Sequence, residues 1–230
     1  MYGAGHFEKD AINLLDNLFL KHDIVFLVGG SGLYIDAVLN GVDDFIEVPI
    51  ELREELNTNY QKNGLEWLQK EVKKLDKTYF NSVDTLNPQR LIRALEVCIF
   101  TGKPYSSFLN QPKAKRNFTA IKILINTSRE KLYAQINQRV DEMMTNGLLE
   151  EVKELQGKKQ LNALKTVGYK ELYAYLDGSY NLNTAIEKIK QHTRNYAKRQ
   201  LTWFKNQDNF TSFEPTDFEE IKAYLINTIN

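Results

Sequence analysis

Five apolar residues in a row, Ile24, Val25, Phe26, Leu27 and Val28, run directly into Gly29, Gly30, Ser31, Gly32, Leu33 and Tyr34. No other stretch restricts the fold as strongly. Strand formers without polar alternation describe a strand buried on both faces, as in a parallel α/β sheet. The glycines and the serine let the backbone turn tightly and approach a ligand closely. A helix predicted over residues 33–39 then offers free N–H groups, a seat for phosphate or another anion. The same pattern also occurs in α/β loops that bind nothing.

Around this turn the periodicity predicts a helix over residues 7–22, with Ala11, Leu14, Leu15, Leu18 and Phe19 on one face. Residues 120–125 are the one other convincing buried strand, and a parallel sheet needs more than two strands. The α/β layer is therefore expected to have strands upstream of Met1. From residue 47 to residue 112 the strand signal disappears, and helices are predicted over 49–61, 64–75, 78–81 and 88–101. Asn87 caps the last of these, Pro88 occupies its first turn, and Gly102 and Pro104 end it. Thr127 to Glu130 has the pattern of a capping box opening a helix over 128–146, stopped at Gly147. Shorter helices follow over 148–156 and 168–176, then a long one over 185–204. An extended segment over 210–216 and a helix over 218–229 close the chain. The expected division is an α/β core with C-terminal helices, residues 1–46 and 114–230, interrupted by a helical insertion, residues 47–113.

Composition narrows the function classes. Thirty basic and thirty acidic residues cancel, so any basic surface must be local. The single cysteine, Cys98, excludes an internal disulfide and fits a reducing compartment. Its apolar helical neighbours, Leu95, Val97 and Ile99, describe a buried inert thiol rather than a nucleophile. No apolar stretch is long enough to span a bilayer. The first ten residues have no apolar segment of a signal peptide. His6, His22 and His192 are scattered, without zinc-ligand spacing, and no metal ligands are identifiable.

Four groups could carry chemistry. Arg90 and Arg93 emerge on one side of the helix after Asn87, near its start, where the helix dipole disfavours cations. They either meet an anion such as RNA phosphate or pair at the surface with Asp84 or Glu96. Lys190, Arg194 and Lys198 form a stripe along the helix over 185–204, widened by Lys188, His192, Arg199 and Lys205. This is either a solvated basic face or a surface for a phosphate backbone. Thr166-Val167-Gly168-Tyr169-Lys170 places a glycine turn before a helix with a lysine in its first turn, an arrangement that suits a diphosphate. Arg139 and Asp141 lie mid-helix, as a buried-side ion network or with Arg139 on a phosphate.

Together these segments resemble the bacterial tRNA dimethylallyltransferases (tRNA isopentenyltransferases). The resemblance spans nearly the whole chain: Val28-Gly29-Gly30-Ser31-Gly32-Leu33-Tyr34, Asn87-Pro88-Gln89-Arg90-Leu91-Ile92-Arg93-Ala94-Leu95-Glu96-Val97, Thr101-Gly102-Lys103-Pro104, Thr166-Val167-Gly168-Tyr169-Lys170-Glu171-Leu172 and Ala197-Lys198-Arg199-Gln200-Leu201-Thr202-Trp203. It implies a nucleotide-kinase-like (P-loop NTPase-type) α/β core, nucleotide-binding, with an inserted helical domain that grips the anticodon stem-loop. It implies transfer of a dimethylallyl group from dimethylallyl diphosphate to the N6 amine of the adenine 3′ of the anticodon, in tRNAs reading codons that begin with U. Magnesium is the implied cofactor, and the implied form is a cytoplasmic monomer with no membrane association. The base is flipped out of the loop into a channel. By position, Ser31 and Arg53 match tRNA-contacting residues, as do Gln89, Arg90, Leu91, Ile92 and Arg93. Asn195, Tyr196, Ala197, Lys198, Arg199 and Gln200 match a tRNA-contacting part of the basic helix. Lys170 stands where the family often has a cation near the diphosphate, with Arg139 as a second contact.

The chain departs from the family in one respect. Members begin with a glycine-rich phosphate loop ending Gly-Lys-Ser/Thr, followed by an aspartate that acts as general base. No Gly-x-x-x-x-Gly-Lys-Ser/Thr occurs in the 230 residues, and residues 2–7 align downstream of both features. The expectation is a family member without its N-terminal part, its general base upstream of Met1, and inactive or impaired on its own. The alternative is a catalytically incomplete tRNA-binding relative. A small-molecule kinase of the same core class fits less well, since it needs the phosphate loop even more.

Overall fold

The computed structural model describes residues 2–43, 46–110, 114–207 and 209–229. Residue 113, the expected end of the insertion, and Met1 lie outside the described residues. Contacts divide the chain into two compact units: Met1–Gly29 with Leu33–Phe118, and Gly30–Gly32 with Thr119–Asn230.

The first unit holds α1 (Ala4–Phe19), the body of α2 (Gly32–Asn40), α3 (Ile50–Leu75), α4 (Lys77–Ser82) and α5 (Pro88–Thr101). All elements among its described residues from 47 to 110 are helical. The helix α5 forms where the local signals put it. The Asn87 side chain accepts the Arg90 N–H at 3.3 Å, Pro88 sits in the first turn, and Gly102 closes the helix in the left-handed conformation at φ 69°. Leu91, Ile92, Ala94 and Leu95 pack with Leu56, Leu68 and Val72 of α3 into one core. Each fully buried leucine or isoleucine there is worth about 1.5–3 kcal/mol. The two helices expected over 49–61 and 64–75 run on as α3, broken at Gly64 with φ 74° and ψ −173°. Nothing lies within 4 Å of a Cβ built on Gly64, so the backbone conformation alone calls for glycine there. Arg116 donates to Glu8 at 2.6 Å and to the Ala37 carbonyl at 2.9 Å, joining α1 and α2.

The second unit holds β1 (Ile123–Ile125), α6 (Arg129–Thr145), α7 (Leu148–Glu154), α8 (Tyr169–Leu176), α9 (Leu182–Lys205), β2 (Thr211–Phe213) and α10 (Phe218–Ile229). Its core gathers Val140, Leu148, Val152, Leu164, Leu172, Tyr173, Ala185 and Ile189. The strands β1 and β2 pair in parallel, Ile123 opposite Thr211, Leu124 opposite Ser212 and Ile125 opposite Phe213. Ser128, not Thr127, caps α6, accepting the Lys131 N–H at 3.3 Å. Lys131, three positions on, cannot reciprocate as an acceptor, so the expected capping box does not form.

The largest correction concerns the apolar run at residues 24–28. It belongs to no helix or strand among the described residues, and Phe26 and Val28 are 74% and 90% exposed. An apolar run can specify an extended conformation, but burial must come from neighbouring strands and covering helices. The chain is α/β in that two parallel strands, connected through helices, form its sheet. Most of its described residues are helical.

Candidate functional site

The glycine turn is a packing device. Gln200 of α9 donates its side-chain amide to the Gly30 carbonyl at 2.6 Å. A Cβ on Gly30 would lie 2.5 Å from that amide nitrogen, and one on Gly32 would lie 2.4 Å from the Trp203 ring. Residue 32 is glycine because the Trp203 ring leaves no room for a side chain, whereas a side chain at residue 30 would displace the Gln200 amide from its bond to the Gly30 carbonyl. Ser31, between them, stays exposed. This seating fixes the turn that carries Ser31 on Gln200, the last residue of the stretch 195–200, which lies far from it in sequence. Along that stretch Asn195, Tyr196, Lys198 and Arg199 are exposed, while Ala197 is buried. The Arg199 guanidinium stands 5.6 Å over the Tyr196 ring. Exposed cations beside an aromatic face can meet a phosphate backbone and stack on a base.

Lys190 and Arg194, in the middle of the basic stripe, are occupied within the unit. Lys190 bonds Asp141 at 2.8 Å and Glu187 at 3.2 Å, and these bonds, Asp141 first, raise its pKa above the usual lysine value. Arg194 donates to Asn137 at 2.6 Å and lies 6.0 Å over the Tyr133 ring. These contacts fasten α9 to α6. Asp141 is thus taken by Lys190, and the network expected between Arg139 and Asp141 does not form. Arg139 is exposed on α6.

In the first unit, Arg53 and Arg93 converge on Glu96, which is 1% exposed. Arg53 holds both carboxylate oxygens through Nε and Nη2. Arg93 donates to Glu96 at 3.4 Å and to the Ile46 carbonyl at 3.0 Å. Leu91 and Ile92 lie in the core, so their side chains present no surface to a ligand. Gln89 and Arg90 are exposed and, with Asn87, Arg93, Tyr79 and Tyr105, line an open cleft of about 410 Å³. The two tyrosine rings meet edge to face with centroids 4.9 Å apart. Burial is the largest influence on both phenols and pushes them up.

At the start of α8, Gly168 has φ +101° and Glu171 turns back to it. Glu171 Oε2 accepts the Gly168 N–H at 2.7 Å. Its Oε1 meets His192 Nδ1 at 2.6 Å and Lys170 Nζ at 3.5 Å. Glu171 is 1% exposed, and the Lys170 side chain is half exposed. The sequence reading missed Glu171 and His192 as members of this group. A glutamate three residues after a helix-opening glycine is a readable capping signal, but the His192 partner, on another helix, has no local one. Among the described residues no group of three or more His, Cys, Asp or Glu could hold a metal ion, and no helix is long and apolar enough to cross a membrane.

Residues 1–207 match the family model described as IPP transferase. The chain is 52% identical over 230 residues to the tRNA dimethylallyltransferase of Christiangramia forsetii, covering all of this chain and 76% of that protein. It is 50% identical over 235 residues to the tRNA dimethylallyltransferase of Flavobacterium johnsoniae, covering 99% of this chain and 76% of that protein. The crystal structure of a tRNA delta(2)-isopentenylpyrophosphate transferase from Staphylococcus epidermidis superposes with a TM-score of 0.63 at 30% identity, covering all of this chain and 78% of that one. A eukaryotic dimethylallyltransferase acting on tRNA shares the fold, with a TM-score of 0.74 at 24% identity over 95% of this chain and 58% of that one. The chain belongs to the IPP transferase family and is a transferase enzyme by that membership.

Proposed function

We propose that this protein transfers a dimethylallyl group from dimethylallyl diphosphate to the N6 amine of the adenine 3′ of the anticodon, in tRNAs that read codons beginning with U. The names of its relatives support the transfer of a dimethylallyl group to tRNA. One observation of the fold supports the tRNA part: the glycine turn that carries Ser31 is seated on Gln200 and Trp203 of α9, the helix that presents Tyr196, Lys198 and Arg199. In this proposal Ser31, Tyr196, Lys198 and Arg199 hold the anticodon stem-loop, and Gln89, Arg90 and Arg93, with Arg53 behind them on Glu96, grip it from residues 47–113, the helical insertion of a nucleotide-kinase-like core. Leu91, Ile92 and Ala197 support these contacts from the interior. The target base leaves its stack before it reacts. The C–O bond of the allyl diphosphate breaks as the N6–C bond forms, a base takes the N6 proton, and diphosphate leaves. Lys170, with Arg139 as a second cation, stabilises the charge on the leaving diphosphate.

No Gly-x-x-x-x-Gly-Lys-Ser/Thr occurs in the 230 residues, and in this proposal the phosphate loop and the general base belong to sequence beyond them. Magnesium, in this proposal, accompanies the diphosphate; none of the steps above passes through it. The working form is a cytoplasmic monomer.

Incorporation of labelled dimethylallyl diphosphate into unmodified tRNA tests the reading. A version carrying a phosphate loop and the aspartate should turn over about a hundredfold or more faster than residues 1–230 alone, the usual worth of a general base. Equal turnover by the two would remove the need for that segment. Binding of tRNA without incorporation by either would leave a tRNA-binding relative. Arg90→Ala combined with Arg199→Ala should weaken tRNA binding and lower its salt slope by about 2, roughly 0.9 for each phosphate no longer neutralised.

A further inference from the structure

We propose that His192 is a second contact of the anion held by Lys170, and that Glu171 is the positioning residue that orients both. This rests on the reading that Lys170 meets the diphosphate. A glutamate that only capped α8 would need one oxygen, and Oε2 serves that purpose at the Gly168 N–H. The other oxygen, Oε1, is spent on His192 and Lys170 together. A carboxylate can only accept, so Nδ1 carries a proton, and in this proposal His192 meets the anion as the imidazolium, with a second N–H at Nε2. That leaves Nε2 as the outward nitrogen of a side chain one-third exposed, and among the described residues it makes no hydrogen bond.

Lys170 Nζ at 3.5 Å is longer than a tight charge-assisted bond of about 2.7–2.9 Å. Its position is biased by Glu171 while its N–H groups stay available to a ligand. A bare carboxylate beside an anion site would repel the anion. Here Glu171 is covered and faces the Gly168 N–H and His192 Nδ1–H, so the two nitrogens that remain accessible are Lys170 Nζ and His192 Nε2. A diphosphate has enough oxygens to take both. His192 also lies three residues before Asn195 on α9, so the same helix carries the anion contact and the stretch proposed for tRNA.

Calorimetric binding of inorganic pyrophosphate to residues 1–230 tests this. The variants are Lys170→Ala, Glu171→Gln, His192→Ala and His192→Asn; the last keeps a donor for Glu171 but removes Nε2. Each should weaken binding about tenfold, the usual cost of a bond to a charged group. His192→Asn should do so with an unchanged melting temperature. In the wild-type chain, the ¹⁵N signal of His192 Nε2 should move on pyrophosphate addition. If Lys170→Ala weakens binding while His192→Asn binds as wild type and the Nε2 signal stays still, His192 and Glu171 only pin α8 to α9, and the inference fails while the Lys170 reading stands. If Lys170→Ala binds as wild type, or the wild-type chain binds no pyrophosphate, the Lys170 reading fails and the inference with it.

Discussion

Glu96 shows how one residue can decide the behaviour of its neighbours. Its carboxylate, in the middle of α5, is removed from water and compensated by two arginines, Arg53 and Arg93. Both arginines are proposed tRNA contacts, and their guanidinium groups are oriented by Glu96. A fully buried pair broken from one side costs about 3–5 kcal/mol. Arg53 and Arg93 are about a third exposed, so water relieves part of that. Glu96→Ala should therefore lower stability by about 2–3 kcal/mol in urea unfolding and weaken tRNA binding beyond that of Arg93→Ala. An unchanged urea midpoint would show that the arginines need no partner. Nearby, burial pushes the Cys98 thiol up, and its sulfur accepts the Tyr105 N–H at 3.3 Å. Thiolate is the reactive form, so this cysteine is inert at neutral pH.

Among the elements, α9 carries the most separate duties. Its middle turns tie to α6 through Lys190 and Arg194 and offer His192 to Glu171, and its C-terminal end receives the glycine turn. The last contact is steric and can be tested as such. Gly32→Ala puts a methyl group 2.4 Å from the Trp203 ring. Overpacking of this kind costs about 1–3 kcal/mol. Trp203→Leu should remove the clash, so the double variant should be more stable than the sum of the single changes predicts, the signature of a direct contact in a double-mutant cycle. Strict additivity in denaturant unfolding would mean that the ring does not limit residue 32.

At the scale of the whole molecule, two units each bury a core of their own, and each holds one of the two tryptophans: Trp67 packs against the first core, and Trp203 lies in the second unit. Separate cores allow separate unfolding, and the two-state description then fails. Trp67→Phe and Trp203→Phe each leave one reporter. Fluorescence-detected urea unfolding of the two variants should give different midpoints, with circular dichroism spanning both. Coincident midpoints by all probes would mean that the cores unfold as one. In the first unit the apolar run at residues 24–28 is left largely uncovered, a cost that a folded chain normally avoids with contiguous apolar surface.

What could be read without a structure was local. The span of α5 with its Asn87 cap and Gly102 stop, the span of α10, and the break at Gly64 follow from caps, periodicity and backbone freedom within a few residues. Cys98 as an inert thiol follows from its apolar neighbours in the same way. The candidate segments were also readable one at a time: the glycine turn, the arginine pair after Asn87, the Gly168–Lys170 turn and the basic end of α9. The tertiary structure decided everything that needed a partner distant in sequence. It left the run at residues 24–28 unpaired and made Gly30 and Gly32 a seat for Gln200 and Trp203. It committed Arg53 and Arg93 to Glu96, and it set His192 against Glu171. Propensity and capping act over a turn of chain, whereas steric exclusion, burial and charge compensation depend on which atoms meet through space.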